Sequence, residues 1–134
     1  MKAMVLCAGT GSRLWPITDT IPKPMVAIQG RPILDWTLQA LARHDIREVV
    51  INLHHHSQVI RDYCGAGTKW GLEIQYSPET QLQGTAGALR PWRTSFDQTF
   101  LLLYGDNLTT CDYSRMIEAH RQRSAAVTMA LFWR

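Results

Sequence analysis

The residues equipped for chemistry begin with a glycine pair and two cations near the N-terminus. Gly9 and Gly11 interrupt the apolar run Ala3-Met4-Val5-Leu6-Cys7, Arg13 follows two residues later, and Lys23 sits between Pro22 and Pro24. A strand that runs into a glycine turn with fixed cations is a way of holding phosphate oxygens. Backbone N–H groups approach the anion where no side chain intervenes, and the cations offset its charge. Far along the chain, Asp106 follows the apolar run Phe100 to Leu103, Tyr104 and Gly105. A carboxylate at the mouth of a buried strand suits a hard cation such as Mg²⁺, which takes one or two carboxylates plus phosphate oxygens and water. Gly-Asp-Asn is also ordinary strand-ending turn chemistry. Between these lies Glu79, five residues before Gly84-Thr85-Ala86. A carboxylate there can accept protons from guanine N1 and N2, or from N3–H of uracil or thymine; the alternative is a solvated loop acid.

These residues must be positioned by elements that alternate. Residues 2–7 read as a strand buried on both faces, and 8–24 as a long loop stiffened by Pro16, Pro22 and Pro24. Pro32 opens a helix whose stripe includes Ile33, Trp36, Ala40 and Leu41. A second buried strand covers 48–53. Ser57 is the expected N-cap of a helix ending at Gly65, and 72–76 alternates like a strand near a sheet edge. Thr85 is expected to cap a short helix that Pro91 ends or kinks. Then come a strand over 100–104, a helix over 113–122 and a last strand from Val127 to Phe132. Strand and helix in alternation predict right-handed βαβ units and an α/β, mostly parallel sheet. In such a sheet, ligands bind beyond the carboxyl ends of the strands, where Gly9, Glu79 and Asp106 all fall.

The first segment resembles the signature of the sugar-phosphate nucleotidyltransferases. Gly9-Thr10-Gly11-Ser12-Arg13-Leu14-Trp15-Pro16 followed by Pro22-Lys23-Pro24 matches G-x-G-[ST]-R-L-x-P and P-K-P; Gly84-Thr85-Ala86-Gly87-Ala88-Leu89 matches G-T-A-x-A-L. The resemblance implies a three-layer Rossmann-like fold and a single nucleotidyltransferase domain over 1–134. It implies transfer of a nucleoside monophosphate from a nucleoside triphosphate to a sugar 1-phosphate, with Mg²⁺. On that resemblance Ala8, Gly9, Gly11, Glu79, Gly84 and Thr85 bind the nucleotide. Arg13 grips pyrophosphate, Lys23 stabilises charge near the α-phosphate and Asp106 holds the metal. Asn52-Leu53-His54-His55 and Tyr104-Gly105-Asp106-Asn107 look most like bacterial mannose-1-phosphate guanylyltransferase-like members. The likeness covers the first half of a typical family enzyme. The E-K-P-type sugar segment and second metal-binding aspartate that relatives carry later are not among these residues. The alternative is therefore a catalytically incomplete nucleotide-binding fragment, or a subunit completed by a homo-oligomer or another chain.

Other classes fit less well. A net charge of +3, from 14 Lys and Arg against 11 Asp and Glu, suits a phosphorylated small ligand and lacks the clustered stripe of a nucleic-acid binder. Three cysteines without a C-x-x-C pair argue against a disulfide framework or zinc site and fit a cytoplasmic protein. The first apolar run is too short for a signal peptide, and no stretch reaches membrane-spanning length. His54-His55-His56 reads as loop and cap residues, since consecutive side chains diverge. The five tryptophans read as mainly packing. A dinucleotide-binding dehydrogenase lacks support: Leu14 stands where its third glycine belongs, and no acid closes the strand ending Asn52-Leu53.

Overall fold

A computed structural model describes residues 1–131. Its centre is β1 (Lys2–Leu6), which pairs in parallel with β4 (Glu48–Leu53) on one side and β6 (Leu101–Tyr104) on the other. β5 (Glu73–Pro78) pairs in parallel with β4, so the sheet runs β5-β4-β1-β6. A two-residue hairpin, β2 (Ala27–Ile28) and β3 (Arg31–Pro32), stands apart and was not foreseen. Its turn, Gln29-Gly30, has positive φ at both positions, the twist a two-residue hairpin needs.

The strands are continuous apolar runs because both faces are covered. Ala3, Val5, Val49, Ile51, Leu53 and Leu101 point to one side, where α1 (Ile33–Arg43), α2 (Ser57–Cys64) and α4 (Tyr113–Gln122) supply Leu34, Leu38, Leu41, Ile60 and Tyr113. Met4 and Val50, one residue out of phase, meet Ala88 of α3 (Gly84–Leu89) on the other side, with Trp92 and Phe96 beyond it. That gives three layers, the larger core lying under α1 and α2.

Several local expectations are corrected. Ser57 is the first residue of α2; His56 holds the N-cap position with a left-handed φ of 48°. Gln83 holds the N-cap position of α3, and Thr85 lies inside the helix with its hydroxyl 3.2 Å from that of Tyr104. Pro91 acts as expected: α3 ends at Leu89 and the chain passes into a 3₁₀ turn over Arg90–Trp92. Residues 127–131 form no strand; Val127, Met129 and Leu131 are exposed because nothing pairs with them among the described residues. Phe132 and Trp133 lie outside the described residues. Trp15 is 72% exposed and packs no core, unlike Trp36, Trp70 and Trp92, which are partly buried.

Candidate functional site

The site begins where β1 ends. After Leu6, Cys7 and Ala8 remain buried while Gly9 opens to solvent. Gly11 takes a φ of 66° that favours glycine. A Cβ there would stand 2.9 Å from the Thr18 Cγ2 and 3.2 Å from the Lys23 Cβ, so the turn closes directly on the second cation. Buried Thr18 locks the turn by donating its hydroxyl to the Gly11 carbonyl at 2.9 Å. Arg13 rides exposed on the 3₁₀ turn Ser12–Leu14 that follows.

Lys23 opens another 3₁₀ turn, Lys23–Met25, between its two prolines. Its ammonium lies 2.5 Å from Asp106 Oδ2, with both side chains partly exposed to solvent. Asp106 is held in place from behind: the Gly105 N–H donates to the Leu6 carbonyl at 2.9 Å, and a Cβ at Gly105 would run into Cys7 Sγ. Burial pushes the Cys7 thiol well above its ordinary value, with the nearby Cys64 and Asp106 charges adding to the rise, so this sulfur is packing rather than a nucleophile.

The third wall comes from β5 and α3. Glu79 follows β5, and Gly84, at a φ of 70°, starts α3. All nine residues singled out in the sequence line one cavity of about 580 Å³: Ala8, Gly9, Gly11, Arg13, Lys23, Glu79, Gly84, Thr85 and Asp106. Sequence reasoning missed Asn52, Leu82 and Tyr104, which share that wall. Asn52 carried a visible signal, being a lone amide inside the apolar run of β4. Tyr104 stood beside Asp106 in a segment that carries the family likeness, while Leu82 carried no signal, because exposed aliphatic residues are common.

The histidine run acts as a set of loop ties. His54 Nδ1 lies 2.8 Å from the Glu79 carbonyl, and His56 Nε2 lies 2.8 Å from the Asp19 carbonyl. Since a carbonyl only accepts, each ring nitrogen is the donor. Among the described residues no cluster of three or more His, Cys, Asp or Glu is placed to hold a metal. Asp106 by itself offers the hard oxygen that a phosphate-bound Mg²⁺ takes from protein.

The nucleotidyl transferase family model matches residues 2–134. The chain belongs to this family. It is 36% identical, over 96% of its length, to UTP–glucose-1-phosphate uridylyltransferase of Synechocystis, and spans 36% of that protein. It is 32% identical to mannose-1-phosphate guanylyltransferase of Mycobacterium tuberculosis, covering 98% of this chain and 37% of the relative. Among solved structures, a Bacillus anthracis protein assigned as a glucose-1-phosphate thymidylyltransferase superposes with a TM-score of 0.84 at 26% identity. That match covers 91% of this chain and 50% of the other. This nucleotidyl transferase chain therefore spans a third to a half of these three proteins. Their names cover three different bases. No helix among the described residues is long and apolar enough to cross a membrane.

Proposed function

We propose that the protein transfers a nucleoside monophosphate from a nucleoside triphosphate to a sugar 1-phosphate and releases pyrophosphate, with guanine nucleotides and mannose 1-phosphate favoured. The observation that carries this is the single cavity in which the glycine turn, Lys23, Glu79, Gly84 and Asp106 meet. In the proposed reaction an oxygen of the sugar phosphate bonds to the α-phosphorus, and the bond to the bridging oxygen of the β-phosphate breaks. The electron pair leaves on pyrophosphate. The attacking phosphate is already ionised, so no general base is needed. Backbone N–H groups at Gly9 and Gly11 approach the triphosphate, Arg13 meets the departing pyrophosphate, and Lys23 offsets charge developing near the α-phosphate. Glu79 and Gly84 face the base. Asp106 would hold a Mg²⁺ shared with phosphate oxygens, which when bound supplies charge neutralisation to the leaving group.

A second reading, nucleotide binding without turnover, rests on one observation: Glu79 and Asp106 are the cavity's two acids among the described residues, and the reading above gives Glu79 to the base. Pyrophosphate release, followed with GTP, UTP or dTTP, Mg²⁺ and mannose or glucose 1-phosphate, separates the two when run beside calorimetry. Release that requires the sugar phosphate supports the transferase. Heat of nucleotide binding with no release leaves a binding module.

A further inference from the structure

Glu79 is a half-buried loop residue, yet each of its polar atoms is tied down. Its N–H donates to the Leu53 carbonyl at 2.7 Å, and its own carbonyl accepts from His54. Oε1 accepts from Asn52 Nδ2 at 2.8 Å, and Oε2 accepts from the Gln83 N–H at 3.0 Å. Fixing a long glutamate side chain in this way costs rotamer entropy, which these hydrogen bonds offset. Three of the four ties come from Asn52-Leu53-His54, where β4 ends.

Asn52 sets the direction of the contact. It is 4% exposed and reaches both neighbouring strand ends. The Cys7 N–H, which can only donate, points at Asn52 Oδ1 at 2.7 Å. The amide nitrogen must then face Glu79. One buried side chain thus transmits the register of β1 against β4 to a carboxylate on the cavity wall.

We infer that Asn52 is the positioning residue for base selection, acting through Glu79 to favour guanine over uracil and thymine. The inference rests on the nucleotide-binding reading above. Each carboxylate oxygen keeps accepting capacity beyond its one tie. Guanine presents two adjacent donors, N1–H and N2–H, to a carboxylate held with both oxygens toward it. Uracil and thymine present one donor, N3–H, between two carbonyl oxygens that repel the second carboxylate oxygen. A carboxylate free to turn can meet a single donor with a single oxygen; one braced by Asn52 and Gln83 cannot adapt. Bidentate recognition of this kind is worth about 10- to 100-fold between bases.

The test titrates the full chain with GTP, UTP and dTTP in Mg²⁺ by calorimetry. The wild-type protein is expected to bind GTP about 10-fold or more tightly than UTP. Asn52→Asp keeps the acceptor for the Cys7 N–H and removes the donor to Glu79, so that ratio should fall toward one. In a Glu79→Ala background the same change should leave the ratio where Glu79→Ala put it. Glu79→Gln, on the half-exposed loop, is independent of any folding defect at Asn52. Its amide pairs one donor with one acceptor, and the preference should move toward UTP. Equal affinities or a UTP preference in the wild type would overturn the inference while leaving the nucleotide site standing. An Asn52→Asp effect that is the same for all bases, or that persists without Glu79, would also overturn it. Absence of any nucleotide binding would overturn both readings.

Discussion

At the scale of single residues, the contact that matters most is the one between Lys23 and Asp106. The two side chains come from loops that follow different parts of the sheet, and they meet at 2.5 Å. Each was picked out in the sequence for a separate reason, one as a cation fixed by prolines and one as an acid at a strand mouth. Their meeting could not be read there, because only the parallel pairing of β1 with β6 brings them together. Replacing Lys23 with Met should lower pyrophosphate release by about 100-fold or more, the size expected for losing one preorganised charge aimed at the reacting phosphate. Stability should change by only about 1 kcal/mol, since a partly solvated ion pair contributes little to folding. Steady-state assays beside thermal melts check that split. A melting loss as large as the activity loss would make Lys23 a structural residue.

Among the elements, the strands of the central sheet were the most legible and the caps the least. β4 and α4 fall on the expected residues, and β1 and β6 lie within a residue of theirs; for the strands the reason is that their apolar runs are too short for a helix and are rich in residues that favour strands. Ser57 and Thr85 failed as caps for local reasons. His56 already takes the left-handed turn into α2, and the hydroxyl of Thr85 is spent on Tyr104. Nor did the sequence announce the polar lock that joins α1 to its neighbours. Asp35, fully buried in the first turn of α1, accepts from Arg31, from the Tyr63 hydroxyl at 2.9 Å and from Lys69 at 2.9 Å. Burial alone would raise its pKa, but the bonds from Lys69, Arg31 and Tyr63 outweigh it and hold the carboxyl below its ordinary value. A depressed folded value means that the stabilisation is complete above the unfolded pKa of about 3.9 and is lost as pH falls through the folded value. Asp35→Asn should therefore cost about 2 kcal/mol at neutral pH. The gap should close as the pH drops below about 3.9, toward the folded value. Melts from neutral to strongly acidic pH would show the convergence; parallel curves would remove Asp35 from the acid transition.

Taken whole, the molecule is a sheet with one well-covered face, one thinner face and an edge at β6 with no partner among the described residues. Beyond that edge strand, Val127, Met129 and Leu131 alternate and are 71–82% exposed. Their spacing reads as a strand in sequence, and a strand needs a neighbour to become one. As a 134-residue polypeptide the chain should associate with rising concentration, since an open edge and an extended apolar run are both templates for pairing. Val127→Lys together with Met129→Lys should shift sedimentation toward the monomer with little change in melting temperature.

The central strand has a further consequence, for the order in which the molecule comes together. β1 leaves the ribosome before either of its neighbours, and β6 emerges well after β4. Loop closure over that span is slow, and the β1–β6 contact is the longest-range pairing in the sheet. The half built from β1, β4 and β5 can form earlier, complete with Asn52 against Cys7 and Glu79. The half of the cavity that carries Asp106 arrives last. Pulse-labelling hydrogen exchange during refolding should find the amides of β4 protected before those of Leu102 to Gly105, so that the Glu79 side of the cavity matures ahead of the Asp106 side.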